Sequence, residues 1–245
     1  MAYVFKNIPK IKINKWAYLG KIQQTEVPYF LSYPRSGCHW LNALFELYFN
    51  RVRGPRNINE KEYLSFVDKK DDEEYMWYQT HDRSLLQHPS ESEFGDIFLF
   101  RNPIHCIYSL SVIEGNTNNK ILEEAEHYKN LMEKWIDEVN TIIIYEYAVE
   151  NPYKCLEIIS KHFKQPYNKE RAELAVRTCT KEAIMSKLKT SKYHNTTVLS
   201  KEYQDNRIKF EKNYGPLIRD ITTTNITKPW LEKVYKHNLL NKLKK

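Results

Sequence analysis

The stretch Tyr33-Pro34-Arg35-Ser36-Gly37-Cys38-His39-Trp40 decides how this chain is read. Before it lies an apolar run, Tyr29-Phe30-Leu31. After it come Leu41, Leu44, Phe45, Tyr48 and Phe49, which share one face at helical spacing. The pattern predicts a strand, a tight loop and a helix. Such a loop aims several backbone N–H groups at one point, and the helix N-terminus adds partial positive charge there. A phosphate or sulfate group suits that geometry. Arg35 adds a full charge, and Gly37 lets the backbone approach an anion closely. The stretch is not a Walker A loop, which needs two glycines bracketing four residues and then Lys followed by Ser or Thr.

Three further segments point to the same sheet edge. Asp96-Ile97-Phe98-Leu99-Phe100 reads as a buried strand running into Arg101-Asn102-Pro103, with a helix from Ile104 through Ser109 to Ile113. Pro103 suits a first helical turn, where a missing N–H costs nothing. Thr141 to Glu146 reads as another strand, followed by Glu150-Asn151-Pro152 and a helix from Tyr153 to Phe163. Tyr75 to His81 reads as a strand that delivers His81 to its C-terminal end. In parallel α/β sheets, ligands bind at that edge.

These segments, in this order, resemble the sulfotransferases that use 3'-phosphoadenosine 5'-phosphosulfate (PAPS). The family's loop is matched at Tyr33, Pro34, Arg35, Ser36, Gly37 and Trp40, and departed from at Cys38, where a hydroxyl or amide is usual. The strand ending in Arg-Asn-Pro, with Ser eight positions after the Arg, is matched by Arg101 and Ser109. The strand ending in Tyr-Glu is matched at Tyr145 and Glu146. The likeness is good over residues 27–165 and poor beyond. It implies an α/β fold with a doubly wound parallel sheet, of the P-loop NTPase-like sulfotransferase kind.

The resemblance also implies roles. The N–H groups of Ser36, Gly37, Cys38 and His39 would hold the donor's 5'-phosphate, and Trp40 would stack on its purine. Arg101 and Ser109 would bind the 3'-phosphate, and Tyr145 would contact the purine side. His81 would be the general base, since an acceptor hydroxyl is a poor nucleophile until deprotonated and imidazole titrates near neutrality. Arg35 would stabilise the leaving phosphate oxygen, and Ser109 is counted with Arg35 and His81 among the catalytic residues. PAPS is then a co-substrate, and 3',5'-adenosine bisphosphate the product. Transfer of this kind relies on positioning and charge stabilisation and requires no metal.

Two departures stand out. Gln79 occupies the position, two before the His, where the family commonly has Lys, and Arg83 is the nearest cation in sequence. The family's C-terminal Arg-Lys-Gly and Gly-x-Trp motifs are missing, and Asn206-Arg207-Ile208-Lys209 is the best substitute. They leave two other readings open: a nucleotide kinase-like phosphotransferase, or a non-enzymatic nucleotide or nucleic-acid binding module with a degenerate donor site. The missing Walker lysine counts against the first. A His-Cys phosphatase loop at His105-Cys106 fails because Val112 stands where its Arg is needed.

The 245 residues suit one α/β domain: a basic leader over 1–26, then a single domain over 27–245 with a divergent C-terminal third. Hydrophobic content of 41% excludes a disordered chain, and the formal charge of +7 suits a polyanionic donor without requiring one. The expected partner is a small-molecule or carbohydrate acceptor, not nucleic acid, although lysines and aromatics alternate near the N-terminus. Cys38, Cys106, Cys155 and Cys179 form no disulfide framework or zinc-site spacing. With no membrane-length apolar run and no signal peptide, a cytoplasmic setting is expected. Helices are also expected over 121–139, 170–177, 181–188 and 229–245, with Thr180 as an N-cap and a flexible polar loop over 114–120.

Overall fold

The computed structural model describes residues 26–54, 67, 75–180, 182–184, 186 and 201–243. Four strands form one sheet: β1 (Tyr29–Ser32), β2 (Tyr78–Thr80), β3 (Ile97–Phe100) and β4 (Thr141–Ile144). Their spatial order is β2-β1-β3-β4, and all pairs are parallel. β1 and β3 are buried on both faces, which is why they read as continuous apolar runs rather than alternating ones.

Alternate strand residues feed two cores. Phe30, Ile97, Leu99 and Ile143 pack on one face against α1 (Cys38–Phe49), α5 (Pro152–His162) and α6 (Lys169–Thr178). Leu31, Phe98 and Phe100 pack on the other against α2 (Pro103–Glu114) and α3 (Asn118–Trp135). Two C-terminal helices, α7 (Lys201–Thr222) and α8 (Lys228–Leu243), extend that second layer through Phe210, Ile218, Leu231 and Val234. Each fully buried Leu or Phe contributes about 1.5–3 kcal/mol. The doubly wound parallel sheet expected from the sequence is thus the observed architecture.

Several boundaries differ from the sequence expectation. β2 is three residues long and does not begin at Tyr75. Tyr145 and Glu146 do not end a strand but open a short helix, α4 (Tyr145–Glu150). The polar stretch over 114–120 is a tight connection: Gly115 closes α2 at φ 66°, and α3 starts at Asn118. Glycine fits that left-handed C-cap without side-chain strain. Thr180 is an N-cap as expected, its Oγ1 accepting the Ala183 N–H at 3.1 Å. The C-terminal basic helix docks on the domain through Leu231 and Val234. The N-terminal lysines and aromatics lie outside the described residues.

Candidate active site

The loop between β1 and α1 is shaped by two left-handed residues, Arg35 at φ 68° and Gly37 at φ 88°. Gly37 is required twice over. A side chain there would be strained, and its Cβ would fall 2.1 Å from the Tyr145 ring. Gly37 caps α1 without a side-chain hydrogen bond, and no acidic residue lies in the first turn. The orphan N–H groups of that turn therefore keep their positive end open toward an anion.

On the β3 flank of the loop stand Arg101 and Ser109. Asn102 caps α2 by accepting the Ile104 N–H at 3.0 Å, and Pro103 follows it, so the helix starts just past Arg101. Arg101 donates from Nη1 to the Arg35 carbonyl at 2.7 Å, and its guanidinium lies 4.4 Å from the Tyr145 ring centroid. The Arg101 Nε is buried and has no hydrogen-bond partner among the described residues. Arg35 donates from Nε to Ser109 Oγ at 3.0 Å. Neither guanidinium has a carboxylate within ion-pair distance among the described residues. Burial pushes the Arg35 pKa down, and the like charge of Arg101 works in the same direction. Trp40 stands edge-on to Tyr145, with ring centroids 6.1 Å apart. Loop, Arg101, Ser109, Trp40 and Tyr145 are therefore one constellation.

On the β2 flank, His81 is nearly buried just past the strand end. Its Nδ1 lies 2.7 Å from the Ser32 carbonyl oxygen and 3.2 Å from Ser32 Oγ. A carbonyl only accepts, so Nδ1 carries the ring proton and the lone pair of the neutral imidazole is on Nε2. Ser32 thus sets the tautomer, as a base acting through Nε2 needs.

Gln79, two residues earlier, is buried in a polar network rather than aimed at solvent. Its Oε1 accepts from Asn42 Nδ2 at 2.8 Å and from the Arg53 guanidinium, and its Nε2 donates to Cys38 Sγ at 2.9 Å. Arg53 pairs with Glu46 at 3.5 Å. Arg83 does not take over from the missing lysine. It is held by both oxygens of buried Glu124, at 2.9 and 2.8 Å, and Glu124 also accepts from the Tyr33 hydroxyl. Lys134 clamps the following turn through Asp82 at 2.6 Å and the Leu85 carbonyl at 2.8 Å.

Sequence reasoning missed Ser32, Asn42, Glu46, Arg53 and Glu124. One signal was available: Cys38, Asn42 and Glu46 repeat every four residues on the buried side of α1. Polar groups in an apolar stripe need partners. Of the C-terminal substitutes, Arg207 is partly buried and acts electrostatically on Tyr108 of α2, while Lys209 is exposed. The hydroxyl of Tyr108 donates to the Tyr203 carbonyl at 3.0 Å, and Tyr203 acts electrostatically on Arg35 and Arg101. The first turns of α7 therefore lie beside the β3 flank.

All four cysteines are buried free thiols. Burial pushes Cys106, which meets Ser36 Oγ at 3.5 Å, up to about 12, so it remains protonated and is no nucleophile. Among the described residues, no group of three or more His, Cys, Asp or Glu side chains is arranged to hold a metal, and no helix is long and apolar enough to cross a membrane.

No family model matches the chain, and no curated protein matches it in sequence. A solved structure does: mouse sulfotransferase SULT7A1 complexed with PAP superposes with a TM-score of 0.57. The fold is the P-loop-like fold of the sulfotransferases. The match spans 87% of this chain and 89% of that one, at 15% identity. It therefore reaches well past residue 165, where the motif resemblance fades.

Proposed function

We propose that this chain transfers a sulfuryl group from PAPS to a hydroxyl or amine of a small-molecule or carbohydrate acceptor. The observation that carries the reading is the two guanidiniums Arg35 and Arg101, held beside an uncapped helix N-terminus with no carboxylate in ion-pair range of either among the described residues. Like charges at close range are costly unless an anion completes the site. A nucleotide with phosphates at both the 3' and 5' positions presents two such anions. That the neighbouring fold is complexed with PAP supports the same choice.

In this reading the loop N–H groups hold the 5'-phosphate, Arg101 and Ser109 hold the 3'-phosphate, and Trp40 and Tyr145 border the purine. Arg207 approaches from α7, in place of the absent Arg-Lys-Gly. His81 Nε2 takes the acceptor proton as the acceptor atom bonds to sulfur. The bond from sulfur to the 5'-phosphate oxygen breaks, and its electron pair stays on that oxygen, beside Arg35. The bisphosphate leaves.

The test is calorimetric titration with 3',5'-adenosine bisphosphate, ATP and AMP, without magnesium, followed by transfer from labelled PAPS. Selective binding of the bisphosphate is expected. Magnesium-dependent ATP hydrolysis would move the reading to a phosphotransferase. Nucleic-acid binding with a steep salt dependence and no nucleotide preference would move it to a binding module.

A further inference from the structure

The network behind the loop has a fixed direction. An indole N–H only donates, so Trp77 Nε1 at 2.7 Å must face Asn42 Oδ1. Asn42 Nδ2 is then turned toward the Cys38 carbonyl and Gln79 Oε1, both at 2.8 Å. A guanidinium also only donates, so Arg53 meets the same Gln79 oxygen. Two donor-only groups thus force the Gln79 amide to present Nε2 to Cys38 Sγ at 2.9 Å. The sulfur is the acceptor in that contact, and its own proton must point elsewhere. Cys38 follows Gly37 as the first residue of α1, so its thiol hangs from the turn whose N–H groups face the anion, with Gln79 on its core side.

We infer that the Cys38 thiol donates its S–H to the phosphate held by the loop, and that Gln79 and Arg53 are positioning residues that turn this proton outward. The inference rests on the donor reading above. Where a lysine would bring its charge directly, this chain keeps the charge on Arg53, one amide behind the thiol. Gln79 lies two residues before His81 and contacts the donor loop, so the same amide ties the His81 strand to that loop.

Gln79→Glu is the decisive variant. It keeps size and still accepts from Arg53, but its carboxylate only accepts, so the Cys38 proton would turn inward. Affinity for 3',5'-adenosine bisphosphate should fall about tenfold or more. Cys38→Ala should cost about tenfold, while Cys38→Ser, which keeps a donor, should stay within about threefold of the parent. The charge of the new carboxylate acts whether or not the thiol is present, so Gln79→Glu is repeated in the Cys38→Ala background, where most of its effect should vanish. A loss undiminished there would overturn the inference, as would equal affinities of Cys38→Ala and Cys38→Ser. The infrared S–H band that Cys38→Ser removes should move to lower frequency when bisphosphate is added to the parent. An unmoved band with bisphosphate bound overturns the thiol contact, whereas no bisphosphate binding by the parent protein overturns the donor reading itself.

Discussion

The two flanks of the β1–α1 loop treat charge in opposite ways. On the β2 flank each buried or clamped cation has a carboxylate: Arg53 has Glu46, Arg83 has Glu124 and Lys134 has Asp82. On the β3 flank Arg35 and Arg101 stand side by side with none in ion-pair range among the described residues. A cation in a close ion pair serves the fold, whereas two without one, with Glu146 acting on Arg101 only from outside that range, favour an added anion. The β2 flank therefore reads as scaffold for His81, and the β3 flank as the donor site. Substitutions on the two flanks should separate turnover, stability and binding.

The largest effect should come from His81. In His81→Ala, turnover with labelled PAPS and a responsive acceptor should fall about 10²–10⁴-fold, the usual share of a general base. Bisphosphate affinity should hardly change, because the proposed anion site lies on the other flank. Undiminished turnover would remove His81 as base, and a matching loss of affinity would erase the distinction between flanks.

Next comes the β2 scaffold. Glu46→Gln leaves the buried Arg53 charge without its carboxylate, and urea unfolding should report a loss of about 3 kcal/mol. Arg101→Met should give the reverse profile. Bisphosphate affinity should fall by about 30-fold, the worth of a charged hydrogen bond. The unfolding midpoint should fall less than in Glu46→Gln: burial opposes the Arg101 charge and Arg35 is repelled by it, while Glu146 favours it. A midpoint that falls as far as in Glu46→Gln would make Arg101 part of the scaffold.

How much of this was legible in the sequence follows from what each residue depends on. The loop, β3 and the Arg101–Ser109 spacing are local: a strand, a turn and one helix fix them, so residue order alone carries them. The position of His81 at the sheet edge was equally visible, although β2 proved shorter than its aromatic run suggested. The tautomer of His81 was hidden, because it depends on Ser32, 49 residues away. The fate of Arg83 was hidden for the same reason, as Glu124 lies on α3. Gln79 read only as a departure from the family's lysine. Only the packing of α1 on β2 reveals that Asn42 and Arg53 fix its amide. The C-terminal third carries no motif, yet it supplies α7 beside the donor flank.

The smallest expected effect concerns acid. Burial opposes the Glu124 carboxylate, yet hydrogen bonds from Arg83 and Tyr33 hold it below its ordinary value. A depressed carboxylate contributes stability that is complete above its unfolded pKa and fades as pH falls through the folded one. The β2 flank should therefore loosen on the acid side, where Tyr33 and Arg83 lose their shared acceptor. The two β3 guanidiniums keep their charge throughout that range. His162 on α5 must be separated first. Burial depresses it to about 4, so its contribution is complete above about 6.5 and falls away between there and 4. In a His162→Gln background, Glu124→Gln should flatten the stability loss that remains below pH 4.5, the carboxylate's ordinary value. An identical acid limb with and without Glu124 would mean that its pair with Arg83 contributes nothing to the fold. The contrast between the flanks would then rest on Glu46 and Asp82 alone.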